Sequence, residues 1–223
     1  MIKKIIFILF FISANSQEKI CITYRMERII PEFTSNAEEI RRTNKYLENL
    51  KFELIFTKEV SVFEQTNKLT SEEILNRTAY VPDDAIIYIH NNKKYTENSE
   101  FVAKKNSFLI EEEFPIWQLH NESKIINNLK CFKATSKYTT DGKNSFDIIA
   151  WYCPNLPYSY GPDGIGGLPG VILFLQQGFE VYSATKIVKD CPKEIYFPDK
   201  IKILSYEEYT SLIKKLEEEM FQD

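Results

Sequence analysis

The chain has 223 residues, of which 43% are hydrophobic and 14% aromatic, and its 28 basic and 32 acidic side chains give a formal net charge of −4 at pH 7. This length is enough for one domain with a substantial core, since chains of this size bury about 70% of their unfolded surface. Charges of both signs are interspersed along the sequence. The composition therefore excludes a basic face for nucleic acid or for an anionic membrane surface.

Residues 1–16 have the three parts of a secretory signal peptide. Two lysines are followed by an unbroken apolar stretch at residues 5–12, and Ala14 and Ser16 are the small residues that cleavage requires. An apolar stretch of this length does not cross a bilayer, which takes about 20 residues. The sequence predicts export to the periplasm, the cell exterior or the outer-membrane surface. Residues 17–223 are expected to form one domain without a transmembrane span.

The first half of the chain is predicted as one long helix followed mainly by strands. Residues 37–50 carry apolar side chains at helical spacing, whereas Phe52, Leu54 and Phe56 alternate with charged residues in the period of a half-buried strand. A capping box, Thr70 with Glu73, predicts a short helix. Short β-like sequences then follow at residues 85–91, 93–98, 101–114 and 115–119.

Four cysteines are present, and four allow three pairings. A turn signal, Asp-Gly-Lys, lies between two strand-like sequences and predicts an antiparallel hairpin centred on Gly142. In that register Cys131 lies opposite Cys153, at a separation that suits a disulfide. Cys21 and Cys191 remain as a second pair by elimination, although two free thiols fit the sequence equally well. No C-x-x-C motif occurs, so no metal site is predicted.

Glycine is concentrated in one short stretch, because five of the seven glycines lie between Gly161 and Gly170. A dinucleotide-binding loop is excluded: Pro169 stands where the third glycine is needed, and a strand-like sequence follows instead of a helix. The prolines of this stretch are incompatible with a central strand. We therefore expect an irregular crossing that either seals one end of the core or forms the rim of a ligand site. The candidate rim residues are Tyr158, Tyr160 and Trp117.

The C-terminal residues predict an amphipathic helix that begins with a capping box, Ser205 with Glu208. Its apolar side chains recur at helical spacing. They are Tyr209, Leu212, Ile213, Leu216 and Met220.

The stretch AWYCPNLPYSYGPDGIGGLPGVIL resembles the signature of the GLPGLI family, exported proteins known chiefly from Bacteroidetes. The family pattern is a Trp-Tyr strand end, a Leu-Pro or Ile-Pro pair, Gly-Pro, and then Gly-Leu-Pro-Gly-Leu-Ile-Leu. Val171 stands where the family has leucine, which is a conservative apolar change. The other matching residues are Trp151, Tyr152, Leu156, Pro157, Gly161, Pro162, Gly167, Leu168, Pro169, Gly170, Ile172 and Leu173.

The resemblance implies a fold more clearly than a function. It implies a bowl-like, strongly curved antiparallel sheet, as in an accessory domain of some bacterial peptide N-glycosidases and, more distantly, in periplasmic lipoprotein carriers. With the β-rich pattern, this gives a mainly β (α+β) fold, bowl-like or half-barrel, with one or two helices including the C-terminal one. The family has no established activity, so the resemblance implies no catalytic residues, no metal and no cofactor. We expect the motif to have a structural role.

The residues themselves do not favour an enzyme. His90 and His120 lie in poor contexts for a nucleophilic triad, and no G-x-S-x-G motif occurs. Paired carboxylates are less easily excluded, because residues 111–113 and Asp141, Asp147 and Asp163 are candidates.

Three hypotheses about function follow. The first is a non-catalytic envelope protein that binds an apolar or amphipathic ligand, or a partner protein, on a concave β surface. The second is a glycan- or peptide-recruiting accessory module beside an exported hydrolase or transporter. The third is a hydrolase with an unfamiliar site. An aliphatic inner face favours lipid, exposed aromatic rings beside Asn or Asp favour sugar, and carboxylates that converge in a cleft favour catalysis.

Overall fold

The structure is a computed structural model that describes residues 18–30, 35–67, 85–97, 108–140 and 144–220. Several sequence predictions fall outside the described residues. They are the signal peptide at residues 1–16, the capping box at Thr70, the β-like sequence over residues 101–107, the candidate carboxylate Asp141 and the turn at Gly142.

The described residues form one sheet of twelve strands, two α-helices and a short 3₁₀ turn. The helices are α1 (Ala37–Leu47) and α2 (Tyr206–Met220), and the 3₁₀ turn spans Pro162–Gly164. The strands are β1 (Ile20–Arg28), β2 (Phe52–Phe56), β3 (Val60–Gln65), β4 (Ile87–His90), β5 (Lys93–Glu97), β6 (Phe108–Glu112), β7 (Gln118–Ile126), β8 (Leu129–Thr140), β9 (Asn144–Cys153), β10 (Val171–Gln177), β11 (Glu180–Lys189) and β12 (Lys202–Ser205). The predicted mainly β class with a C-terminal helix is confirmed.

The strand order is β12-β6-β5-β4-β3-β2-β1-β11-β10-β9-β8-β7. Neighbouring strands are antiparallel except β12, which pairs with β6 in parallel. The 3₁₀ turn touches β3, β4, β5 and β10, although three strands separate β3 from β10 in the sheet. Only a sheet that curls around the turn can bring those strands to it, so the sheet is an open, curled bowl whose inner face holds the turn.

The inner face carries the main core, and β1 shows the alternation that produces it. Ile20, Ile22, Tyr24 and Met26 point inward and are at most 2% exposed, because side chains two residues apart share one face of a strand. Tyr24 donates a 2.6 Å hydrogen bond from its hydroxyl to the carbonyl of Ile172 on β10. That bond satisfies a buried polar group across the bowl.

The outer face of β1 carries a smaller cluster with the disulfide bond. Cys21 bonds to Cys191, with a Cα–Cα distance of 5.6 Å, and Ile55 packs beside them. The backbone N–H of Cys191 donates to the carbonyl of Lys19 at 3.0 Å, which places the segment after β11 against the start of β1. The bridge assigned by elimination is therefore confirmed.

The hairpin of β8 and β9 has the predicted register, with Lys133 opposite Trp151, but the disulfide predicted within it is wrong. Cys131 and Cys153 are free thiols, and neither side chain is exposed. The two thiols lie close to each other, since a side-chain hydrogen bond with Cys153 is among the causes that raise the pKa of Cys131, and the Cys131 S–H also lies 3.6 Å from the carbonyl oxygen of Leu129. Opposed positions in a ladder bring two cysteines near each other, but a disulfide forms only at a specific side-chain geometry.

These thiols should resist alkylation in the folded protein. Burial raises the pKa of the Cys131 thiol to about 12, and the neighbouring Cys153 adds to the increase. At pH 8 the thiol is therefore protonated, and only the thiolate is nucleophilic. Under non-reducing conditions we expect iodoacetamide to modify no cysteine of the native protein and two cysteines after unfolding in urea. Mass spectrometry counts the adducts, and none after unfolding would show that a second disulfide forms.

The capping box of α2 is confirmed. The backbone N–H of Glu208 donates to the Ser205 hydroxyl at 3.2 Å, and the N–H of Ser205 donates to the Glu208 carboxylate at 2.8 Å. The hydrogen bond from the Ser205 backbone, together with a hydrogen bond from the Ser205 side chain, lowers the pKa of the Glu208 carboxyl. Beyond the cap, Tyr209 and Leu212 of the predicted stripe pack against Leu204. Their contact attaches the helix to the parallel strand pair at one edge of the sheet.

Candidate functional site

The glycine-rich crossing is pressed against the inner face of the bowl. A Cβ atom on Gly164 would lie 2.4 Å from the Ile87 side chain, and Gly164 also has a positive φ of 64°. A Cβ atom on Gly170 would lie 2.4 Å from the carbonyl oxygen of Cys153. Since contacts that short are not tolerated, glycine is required there by close packing. Of the family-like motif, Tyr152, Gly161, Pro162, Leu168 and Gly170 are buried.

The three candidate rim residues hold the crossing in place. Trp117 donates from its indole nitrogen to the carbonyl of Gly166 at 2.8 Å. Tyr160 is buried and donates from its hydroxyl to the carbonyl of Lys58 at 3.1 Å, and burial raises the pKa of Tyr160 to about 12. Tyr158 stacks on Tyr160 with ring centroids 6.3 Å apart. None of the three lines either of the two clefts described next.

A cleft of about 240 Å³, called the inner cleft here, opens on the inner face beside the 3₁₀ turn. Its floor is apolar and consists of Phe52, Phe63, Ile87 and Tyr182. Phe52 and Phe63 stack with centroids 5.8 Å apart, and Tyr182 meets them edge-on at 5.5 and 5.8 Å. Register explains the grouping, because Phe63 pairs with Ile87 across β3 and β4. The floor is thus a fixed aromatic surface.

The wall of the inner cleft is polar. Lys94 forms an ion pair with Glu112 at 3.2 Å, and the Thr96 hydroxyl donates to the same carboxylate at 3.0 Å. The pairing of β5 with β6 sets Lys94 directly opposite Glu112. The remaining polar wall residues are Gln65, Asp163 and Glu180.

A second cleft of about 290 Å³, called the side cleft, shares Lys94 and Glu112 with the first. Its own lining includes Phe114, Lys137 and Gln177. At about 240 and 290 Å³, each cleft is slightly smaller than the roughly 300–1,000 Å³ that small-molecule sites usually occupy.

Two buried oxygens in these walls have no hydrogen-bond partner: the amide Oε1 atoms of Gln65 and Gln177. The amide nitrogen of Gln65 donates to the carbonyl of Asn67 at 2.6 Å, and that of Gln177 donates to the Asp163 carboxylate at 3.2 Å. These donations fix which end of each amide is the oxygen, because a flipped amide would set oxygen against oxygen. Buried acceptors without donors are rare and costly, and neither oxygen is exposed at the surface of the clefts.

Asp163 holds an unusual conformation at the centre of the 3₁₀ turn. Its φ is +55°, in the left-handed region that non-glycine residues seldom adopt. Asp and Asn adopt this region more readily than other non-glycine residues. The Asp163 carboxylate accepts a hydrogen bond from Gln177 and lines the inner cleft.

Sequence reasoning found part of this site. Glu112 and Asp163 belong to the carboxylates considered above, and both line the inner cleft. Gln65, Lys94 and Gln177 were missed. A weak signal existed, because Lys94 and Thr96 share the strand face opposite Tyr95 and so place polar groups inside the bowl.

The histidines lie away from the clefts. His90 stacks on Phe197 with centroids 4.6 Å apart, and His120 bonds through Nε2 to the Thr135 hydroxyl at 2.7 Å. Within the described ranges, no three His, Cys, Asp or Glu side chains are grouped so as to hold a metal ion. No helix in the described part of the chain is long and apolar enough to span a membrane.

The fold is similar to that of PNGF-II, which is known in two crystal forms. The C2 form gives a TM-score of 0.56 at 17% identity over 89% of this chain, and the P21 form gives 0.54 at 18% identity over 89%. This chain spans only 33% of the PNGF-II chain in each case. Identities this low establish a shared fold alone.

A weaker similarity is to the LolA superfamily protein NE2245 from Nitrosomonas europaea, with a TM-score of 0.32 and 9% identity over 83% of this chain and 90% of that one. A score this low does not establish a shared fold. No curated protein matches the chain in sequence. Residues 138–174, which include β9 and the glycine-rich crossing, match the model of the Porph_ging family, described as a protein of unknown function.

Proposed function

We propose that this chain is an exported, non-catalytic protein that binds an amphipathic small molecule in the inner cleft. The observation that carries the proposal is that one cleft has both a floor of stacked aromatic rings and a polar wall. Binding sites for small molecules have this composition, with apolar lining for affinity and a few polar groups for orientation. The match to a family of unknown function is compatible with such a role.

The two parts of the cleft define the two parts of the ligand. Phe52, Phe63 and Tyr182, each at most 4% exposed, form the apolar part of the lining, and any apolar area that the ligand covers is worth about 25 cal/mol per Å². The wall offers hydrogen-bond acceptors on Glu112 and Asp163. The ligand therefore has an apolar body and at least one donor group.

The contacts of the carboxylates support a binding role over catalysis. Glu112 is engaged by Lys94 and by Thr96, and Asp163 accepts a hydrogen bond from Gln177. Neither histidine lines the clefts to act as a general base.

Titration of the purified protein with octanol tests the proposal. We expect saturable binding by calorimetry and a rise in melting temperature, because a ligand that binds only the folded state stabilises it. The substitution Ala85→Trp, at a half-buried lining position, should fill the cleft and abolish both signals. Ser123→Trp, on the exposed face of β7, is the matched control and should bind normally. Equal binding by both variants would place the ligand elsewhere and refute the proposal.

A second candidate, a glycan-recruiting accessory module, is favoured by one observation. In PNGF-II the shared fold accounts for only a third of the chain, so the fold exists there as part of a larger protein. Aromatic rings also bind sugars by stacking. Titration with maltose and N,N′-diacetylchitobiose separates the candidates. Saturable sugar binding that Ala85→Trp abolishes, without octanol binding, would replace the first proposal with the second.

A further inference from the structure

A row of side chains crosses four neighbouring strands on the outer face of the bowl. Trp151 on β9 lies opposite Phe174 on β10. Ser183 on β11 lies opposite Phe174 on one side and opposite Arg25 of β1 on the other. Directly opposite residues share one face of a sheet. Because Arg25 alternates with the buried, inward-pointing residues of β1, the whole row faces outward.

A lysine from the edge of the sheet lies over this row. The Nζ atom of Lys124 on β7 is 4.2 Å from the centroid of the Trp151 ring and 4.3 Å from that of the Phe174 ring. These cation–π contacts position the ammonium group. They do not neutralise its charge, and they supply no oxygen acceptor for its three N–H groups. Lys124 is therefore a positioned cation whose hydrogen-bonding capacity is unused.

Neither cation of the row has a carboxylate partner. Among the described residues, Lys124 and Arg25 take part in no ion pair and no side-chain hydrogen bond. Glu122 lies two residues before Lys124, but its carboxylate is held by Lys133 at 3.0 Å. Glu27 shares the outer face of β1, yet it lies one row further along the strand. Two positive charges thus flank the row without an anion between them.

Partial burial makes this arrangement costly for Lys124. The side chain is half-buried, and burial lowers the pKa of the Lys124 ammonium because a poorly solvated cation is destabilised. An anion bound beside the ammonium would compensate for the lost solvation. Arg25, in contrast, is exposed and carries its charge at any working pH. A ligand can therefore reach the row from the side of Arg25.

The polar groups of the row match a tetrahedral oxyanion. Strands lie about 4.8 Å apart, so about 10 Å separates the backbone of Phe174, under Lys124, from that of Arg25. Ser183 lies between them and adds a hydroxyl donor. A phosphate group has a charge of about −1.5 to −2 and three terminal oxygens, one for each of these donor side chains. A carboxylate has one charge and two oxygens.

We propose that the outer face binds a phosphate group between Lys124 and Arg25, with a hydrogen bond from the Ser183 hydroxyl. Free phosphate and a phosphorylated sugar share this chemistry. The site lies on the other face of the sheet from the inner cleft, so it does not depend on the proposed function.

Calorimetric titration of the full protein at low ionic strength tests the proposal with inorganic phosphate, glucose 1-phosphate and acetate. We expect both phosphates to bind saturably and at least ~10-fold more tightly than acetate, with an affinity that falls as sodium chloride is added. Equal affinity for the two phosphates would assign the site to the phosphate group alone. Tighter binding of glucose 1-phosphate would assign it to a phosphorylated sugar.

Matched variants locate the site. Lys124→Met removes the charge and keeps an apolar stem over the rings, and Arg25→Gln removes the second cation from an exposed position. Each should weaken phosphate binding at least ~10-fold, because charge-assisted hydrogen bonds are lost. Lys130→Gln is the control, since Lys130 belongs to the same hairpin and lies over Phe132 at 5.1 Å. This control should bind phosphate normally, and melting temperatures verify that each variant is folded.

Three results would overturn the proposal. They are unchanged phosphate affinity in both the Lys124→Met and Arg25→Gln variants, tighter binding of acetate than of phosphate, and the absence of saturable binding for both phosphates. Ala85→Trp, which fills the inner cleft, should leave phosphate binding intact. Failure of this inference is therefore distinguishable from failure of the proposed function.

Discussion

Replacing Cys21 and Cys191 together with alanine is expected to lower the free energy of unfolding by about 5 kcal/mol. The bridge joins residues 170 positions apart, and closing so long a loop in the unfolded chain gives a value of that order in the chain-entropy model. The bridge also holds the segment that contains Lys193 against the outer face, where Lys193 pairs with Glu53. Urea unfolding followed by circular dichroism measures the change.

The free cysteines provide the control for this experiment. The Cys131→Ala and Cys153→Ala double variant loses buried sulfur and some packing, but it retains the bridge. Dithiothreitol should therefore destabilise the wild type and this control by similar amounts, and it should not affect the variant that lacks Cys21 and Cys191. A bridge-free variant as stable as the oxidised wild type would contradict the prediction.

Gly164→Ala is expected to cost about 3 kcal/mol. A left-handed backbone costs a non-glycine residue about 1–2 kcal/mol. The added methyl group would also lie 2.4 Å from Ile87, and overpacking of this kind costs about 1–3 kcal/mol. Because Gly164 follows Asp163, which lines the inner cleft, the variant should also lose affinity for the ligand.

Gly178→Ala separates backbone strain from packing. Gly178 has a similar φ of 60°, but the nearest atom to its added Cβ would be Phe146 Cδ2 at 3.7 Å, an ordinary contact. We expect this variant to lose only about 1 kcal/mol by urea unfolding. Equal losses in the two variants would show that close packing of the crossing against the inner face contributes little.

Local patterns in the sequence predicted the parts of the fold that local physics determines. The register of β8 with β9 follows from one turn signal, and the cap of α2 follows from Ser205 and Glu208. The glycine cluster was correctly separated from a phosphate loop, because Pro169 and the strand-like β10 exclude one. These features depend on neighbours along the chain or across a single turn.

Features that depend on contacts between distant parts of the chain could not be predicted from local sequence patterns. The parallel pairing of β12 with β6 joins segments almost a hundred residues apart, and no turn signal specifies it. The inner cleft combines side chains from β2, β3, β4, β5, β6 and β11, so its composition depends on how the sheet curls. Cys131 and Cys153 are free thiols, although their register places them opposite each other, so register alone does not determine whether a disulfide forms.

The disulfide joins the first cysteine of the chain to the last one, which matters for the order in which cysteines become available during synthesis. Cys21 is made first and its partner Cys191 last, with Cys131 and Cys153 between them. A nascent chain therefore carries three thiols before the correct partner of Cys21 exists. The hairpin of β8 and β9 is local and can form before the C-terminal segment is made. Once Cys131 and Cys153 are buried in the core, Cys191 is the accessible partner that remains for Cys21.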